Sequence, residues 1–204
     1  MRMFHKAALY CIIITAAFFF STTPVIAQPA NILKWIVEKN STLRVNGKSN
    51  VNSFSCNMKE YTKVDTLICT SDPGKPVNFT GSIQMEILSF DCNSEMITKD
   101  LRKTLKADQY PKMTIRFISL EYMPLLQNKT ELVKGWVEVE LAGIVKRFEL
   151  VYSFLQSGAT NIKMNGGRTF RFSDFKLSPP KKFAGLIKIK DDFDVHFQLT
   201  LRAV

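Results

Sequence analysis

Beyond residue 27 the hydrophobic positions recur every second residue in short runs broken by Gly, Pro and Asn, which is the pattern of half-buried strands. From Lys112 to Leu120, Met113, Ile115 and Phe117 fall on one face. From Gly135 to Leu141, Val137, Val139 and Leu141 alternate with Glu138 and Glu140. Arg147 to Phe154 puts Phe148, Leu150, Tyr152 and Phe154 on a common face. Phe193 to Leu201 repeats the device with Phe193, Val195, Phe197, Leu199 and Leu201. Further strands are predicted at Thr42 to Lys48, Val51 to Lys59 and Val77 to Leu88, giving about eight in all. Each has one wet side, as in antiparallel sheets covered on one face.

Turn chemistry joins these runs. Ala142-Gly143 separates two of them, and Asn165-Gly166-Gly167 reads as a tight hairpin between Ile162 and Met164 on one side and Phe170 and Phe172 on the other. One segment departs from period two. Between Ser94 and Ala107, Ile97, Leu101 and Leu105 recur every fourth position, Ser94 is a candidate cap, and Asp100 and Lys103 are placed toward water. This predicts a helix of about three turns, ended by Tyr110-Pro111 because the residue before proline is pushed out of helical conformation. Many short antiparallel strands with even turns mean a sandwich or a closed barrel. The aromatic positions facing inward either fill such a barrel or leave room for one small ligand.

The first residues bear on compartment. Arg2 and Lys6 precede an apolar run from Ala7 to Phe20, and Thr22-Thr23-Pro24-Val25-Ile26-Ala27 supplies small residues for cleavage after Ala27, so residues 1–27 are expected to be a signal peptide. The apolar run is shorter than the roughly 18 to 20 residues a membrane span requires. Residues 28–204 are then a single domain in the periplasm or outside the cell. Removing Arg2 and Lys6 leaves 26 basic against 18 acidic residues. These charges are scattered rather than massed in one arm. They suit solubility, with transient contact at a membrane surface, better than a nucleic-acid footprint.

Cysteine usage agrees with export. Cys11 leaves with the leader, and Cys56, Cys69 and Cys92 allow one disulfide and one free thiol. No pair has C-x-x-C spacing, so neither a redox motif nor a zinc site is indicated.

Candidate catalytic chemistry is sparse. Without His5, which lies in the leader, the one histidine is His196, between Val195 and Phe197 on the outward side of a strand. No nucleophile elbow, Gly-rich phosphate loop or H-E-x-x-H motif occurs. Asp191, Asp192 and Asp194 lie near Lys188 and Lys190 and read as a solvated charge run at a turn. Glu138 and Glu140 read as surface residues on one wet face. No cofactor, metal or enzymatic activity is expected.

The ordered set of segments resembles the YceI-like family. It starts at Trp35-Ile36-Val37-Glu38 and Ser41-Thr42-Leu43-Arg44-Val45-Asn46-Gly47-Lys48-Ser49-Asn50-Val51, and runs on through Ser53-Phe54-Ser55-Cys56, Ser89-Phe90-Asp91-Cys92 and Lys99-Asp100-Leu101. Tyr110-Pro111, Leu141-Ala142-Gly143, Lys146-Arg147-Phe148, Ser173-Asp174-Phe175 and Asp194-Val195 complete it. The resemblance implies a lipocalin-like, eight-stranded antiparallel barrel with one inserted helix at about residues 94–107, holding an elongated isoprenoid chain. Asn50 stands where typical members carry His, and Phe172-Ser173 where they carry Arg before the late Asp-Phe. The resemblance favours a Cys56–Cys92 disulfide, with Cys69 the rival partner for Cys56.

The expected function is therefore non-enzymatic binding or carriage of a long apolar lipid. By alternation the residues facing that ligand are Met85, Ile115, Phe117, Val139, Phe148, Tyr152, Phe154, Phe170 and Phe197. The alternative is an envelope stress or interaction protein whose packed barrel binds anionic surfaces or partners through its basic exterior.

Overall fold

Alternation in the sequence becomes alternation of burial along the strands. On the strand Glu131–Leu141, Val133, Gly135, Val137, Val139 and Leu141 are buried while Leu132, Lys134 and Trp136 are exposed, as a pleat with one face on a core requires. The computed structural model describes residues 31–58, 61–72, 75–182 and 186–204. The expected signal peptide and its cleavage site lie outside these described residues.

The strands, in chain order, are β1 (Asn31–Val37), β2 (Thr42–Ser49), β3 (Ser53–Met58), β4 (Thr66–Ser71), β5 (Val77–Glu86) and β6 (Phe90–Asp91). After helix α1 (Glu95–Thr104) come β7 (Lys112–Leu120), β8 (Glu131–Leu141), β9 (Ile144–Gln156), β10 (Asn161–Arg171), β11 (Lys181–Lys182) and β12 (Ile187–Ala203). Hydrogen bonding runs β1-β4-β5-β7-β8-β9-β10-β12, and β12 pairs back to β1. That ring of eight antiparallel strands is the closed barrel expected from the sequence. Closure removes the exposed edges that an open sheet would present.

The seam is short: Trp35, Ile36 and Val37 pair with Ala203, Arg202 and Leu201. The other half of the same β12 edge, from Ile189 to Gln198, pairs with β2. The chain makes this switch between Glu38 and Ser41, where the Glu38 amide donates to Thr200 O at 2.8 Å and the Ser41 hydroxyl accepts from the Thr200 amide at 3.1 Å. From β2 the sheet continues outward through β3 to β6. This flap carries α1.

The helix begins where its cap predicts. Ser94 Oγ accepts from the Ile97 amide, Leu101 and Leu105 are buried with Ile97 packed against the core, and Asp100 is half-buried rather than free in water. Arg102 donates to Leu88 O at 2.8 Å and the Cys92 amide donates to Thr98 Oγ1 at 3.0 Å. Cys56 and Cys92 form the disulfide, tying β3 to the chain that enters α1. Cys69 is the buried free thiol.

Some expectations need correction. Asn165-Gly166-Gly167 is not a hairpin: β10 runs straight through it, pairing Gly166 with Phe197 and Gly167 with His196. The glycines serve close approach rather than reversal, since a Cβ at Gly166 would lie 2.3 Å from Phe197 Cζ. The hairpin at Ala142-Gly143 is present, with both residues at positive φ of 50° and 76°, the geometry of a two-residue turn. Asp191, Asp192 and Asp194 lie not at a turn but inside β12, where the pairing to β2 shifts register between Ile189 and Phe193. Their surroundings are polar: Asp191 accepts from the Ser173 amide and hydroxyl, and Asp194 from Thr169. Strands β1 and β4 go beyond those the alternation predicts. The run before Leu88 ends as a strand at Glu86, with a single 3-10 turn over Ile87–Ser89.

Candidate functional site

The barrel interior is lined by the faces that alternation selects. All nine candidate residues are buried, from Tyr152 at 0% exposure to Ile115 at 9%. The ring does not bring them together as one set, however, because they belong to two tiers.

In the tier nearest the β1 seam, Trp35, Phe79, Phe117, Tyr152 and Phe154 interlock. The Phe79 and Phe117 rings are 4.8 Å apart, and Tyr152 lies 6.2 Å from Phe79, Phe117 and Phe197 alike. In the tier toward α1, Phe148 meets Phe170 edge to face at 4.8 Å, and Phe170 lies 6.0 Å from Phe193. Phe172 packs on Phe193 at 4.7 Å. Aromatic pairs in such geometries add attraction beyond their buried area. The centre is therefore filled with rings rather than open.

Between the tiers the packing is imperfect and leaves small gaps. A void of about 10 Å³ sits at the centre against Met85, Ile115, Phe117, Phe197 and Leu43, no larger than the roughly 10 to 15 Å³ that one water needs. Beneath α1 a void of about 50 Å³ is bounded by Leu43, Leu101, Met113, Phe172 and Phe193. Outside it, a groove of about 110 Å³ opens between α1, β3 and the start of β12, walled by Phe54, Met96, Ile97, Ile187 and Ile189 as well as Leu101 and Phe172. The first two spaces share Leu43, and the second and third share Leu101 and Phe172. Apolar spaces thus adjoin one another, through these shared wall residues, from the surface to the barrel centre, and the central one also shares Thr42, Leu43, Met58 and Phe197 with a polar groove on the outer wall. Val139 flanks these spaces by pairing with Ile115 across β8 and β7.

Two hydroxyls punctuate the apolar interior. Tyr152 Oη is buried without a hydrogen-bond partner, and burial pushes its ionisation well above the ordinary tyrosine range. Tyr61 borders the central void and donates to Asp65. Burial first, then that carboxylate, raises its pKa in the same way. Burial alone pushes the Cys69 thiol up to about 12.

The outer wall has different chemistry. His196 is exposed in a wide, shallow groove of about 680 Å³ with Arg44, Asn57, Asn165 and Gln198. Gln198 donates to Asn165 at 2.9 Å, Asn165 to Ser153 at 3.1 Å and Arg44 to Asn57 at 2.9 Å. These polar groups satisfy one another, and the residues lining the groove include no carboxylate to orient the imidazole. Among the described residues no three His, Cys, Asp or Glu side chains gather as metal ligands would.

The residues that sequence reasoning missed are Leu43, Leu101 and Phe172, which each line more than one of these spaces, and Phe54, Ile187 and Ile189, which wall the groove. Leu101 carries a signal in the period of α1. Ile187 and Ile189 alternate with Lys188 and Lys190 in strand fashion, which extends β12 six residues ahead of the predicted start at Phe193.

A closed antiparallel ring with a helix beside an apolar groove defines a lipocalin-like barrel. The YceI-like domain model matches residues 36–201, and the chain belongs to that family. Among solved structures it is similar to a polyisoprenoid binding domain from Saccharophagus degradans implicated in plant cell wall breakdown, with a TM-score of 0.63 and 14% identity over 84% of this chain and 99% of that one. It is also similar to BcnA of Burkholderia cenocepacia, with a TM-score of 0.58 and 18% identity over 78% and 95% of the two chains. The YceI protein of Campylobacter jejuni aligns with a TM-score of 0.51 and 20% identity over 71% and 82%. Among curated proteins no sequence relative matches.

Proposed function

We propose that this chain is an exported, non-enzymatic carrier that takes an elongated apolar lipid of the isoprenoid class into its barrel through the groove beside α1. The observation that carries the reading is the series of apolar spaces from groove to centre, with Leu101 and Phe172 lining both the groove and the void beneath α1, and Leu43 lining both that void and the central one. A guest chain occupies that series by turning these side chains aside, so it replaces core contacts rather than filling a standing hollow. Each methylene withdrawn from water contributes about 0.8 kcal/mol, and a long chain thereby offsets both the displaced packing and its own lost freedom. The similar Saccharophagus degradans protein is a polyisoprenoid binding domain, which supports the same ligand class here. Export with cleavage after Ala27 belongs to this reading.

Native mass spectrometry of protein purified from its own host tests it. A bound apolar mass that leaves on organic extraction, on a chain beginning at Gln28, is the expected result. Protein free of lipid that also takes up no added isoprenoid would leave the barrel a packed body and end the proposal.

A further inference from the structure

The mouth of the groove has a rim of unusual composition. Val51 in the β2–β3 turn, Met96 in the first turn of α1 and Leu186 just before β12 are 64%, 55% and 76% exposed. Met96 is itself a wall of the groove, and Val51 and Leu186 adjoin the wall residues Asn52 and Ile187. The core does not need these side chains, yet separate elements each bring one to the same opening.

Two of the three are held in fixed relation. Asn50 donates from its side-chain amide to Leu186 O at 2.9 Å, accepts from the Lys188 amide at 2.9 Å and donates from its own amide to Lys188 O at 3.1 Å. This lock joins the turn carrying Val51 to the turn carrying Leu186.

The rim is also basic. From Lys176 to Lys190 the chain contains Lys176, Lys181, Lys182, Lys188 and Lys190 before the first carboxylates at Asp191 and Asp192, and the groove wall itself carries Asp100. The β11–β12 register sets position 181 directly opposite Lys188 and position 182 opposite Ile187, which brings four of these basic positions to the start of β12. On the helix side Lys99 and Lys103 are exposed next to Met96, with Glu95 and Asp100 the neighbouring carboxylates.

Exposed apolar side chains with exposed lysines on the neighbouring stretches of α1 and β12 match an anionic phospholipid surface, whose headgroups attract the cations while its acyl boundary accepts the apolar tips. We propose that this rim is the face by which the protein docks on an anionic bilayer, setting the groove mouth against the acyl region for lipid exchange. The inference rests on the carrier reading for its purpose, though the docking itself is measured independently.

Flotation of the purified protein with vesicles of mixed phosphatidylglycerol and phosphatidylcholine, and with vesicles of phosphatidylcholine alone, tests it. Binding is expected only where phosphatidylglycerol is present and is expected to weaken with salt. Two double variants, Val51→Asp with Leu186→Asp and Lys188→Glu with Lys190→Glu, are each expected to partition about tenfold less, with an unchanged thermal midpoint and unchanged retention of copurified lipid. Wild-type protein that ignores the anionic vesicles, or variants that bind as wild type does, would overturn the docking surface. Protein that carries no lipid yet binds vesicles through this rim supports docking and removes the carrier reading. Lipid-loaded protein indifferent to the rim substitutions does the reverse.

Discussion

Phe197 on β12 stands directly opposite Gly166 on β10, and its ring lies so close to the glycine that a Cβ at position 166 would be 2.3 Å from Cζ. The ring cannot withdraw freely, because Tyr152 packs 6.2 Å away on its inner side. Gly166→Ala is therefore expected to cost about 2 kcal/mol, as overpacking of a filled core does. Urea denaturation measures it. Pairing the change with Phe197→Leu should recover part of the loss, and purely additive losses in the double variant would refute the contact as the cause.

The orphaned Tyr152 hydroxyl supports an expectation of the opposite sign. A buried donor without a partner costs roughly 1 to 3 kcal/mol, so Tyr152→Phe should stabilise the lipid-free protein by about 1 kcal/mol. A thermal midpoint that falls would mean that the hydroxyl has a partner within the fold.

Leu101 separates the groove from the void beneath α1. Leu101→Ala should join the two spaces, cost about 3 kcal/mol as a core truncation, and speed uptake of an apolar fluorescent probe. Slower or unchanged uptake with the expected destabilisation would place the route elsewhere.

Alkaline pH should destabilise the fold in steps with a worked sign. The folded Cys69 thiol is pushed up to about 12 from an ordinary value of 9.0, so between these values the unfolded chain releases a proton that the folded chain keeps. Stability is then fully present below pH 9.0 and falls as pH rises toward 12. Tyr61 and Tyr152, both raised from 10.0, add to the fall above that pH. Cys69→Ala should remove the first part of the slope. Denaturation midpoints across the range check it, and an identical slope in the variant would exclude the thiol.

How far the sequence reaches is seen in particular elements. Lys112–Leu120 appears in the structure as read, because alternation against one core face leaves no competing reading. The inward faces of β8, β9 and β12 follow for the same reason. Asn165-Gly166-Gly167 misleads because glycine marks both reversal and close approach, and only the partner strand carrying Phe197 distinguishes them. Strand β1 is illegible because Trp35-Ile36-Val37 is an unbroken apolar run; alternation appears only once Trp35 and Val37 are seen buried beside a half-buried Ile36. The groove is beyond reach, since Phe54, Met96 and Ile189 come from three elements whose meeting depends on tertiary packing.

The wall of the barrel is completed by pairing between its first and last described strands. A chain emerging in order must hold two raw edges apart from every neighbour until its final residues arrive, since only these supply the far side of the join. Nearly all the sequence separation available to the domain is spanned in that last step, which sets a slow, late commitment to the folded form. Until that join is made nothing cylindrical exists, and any guest the cylinder is to hold meets an open sheet.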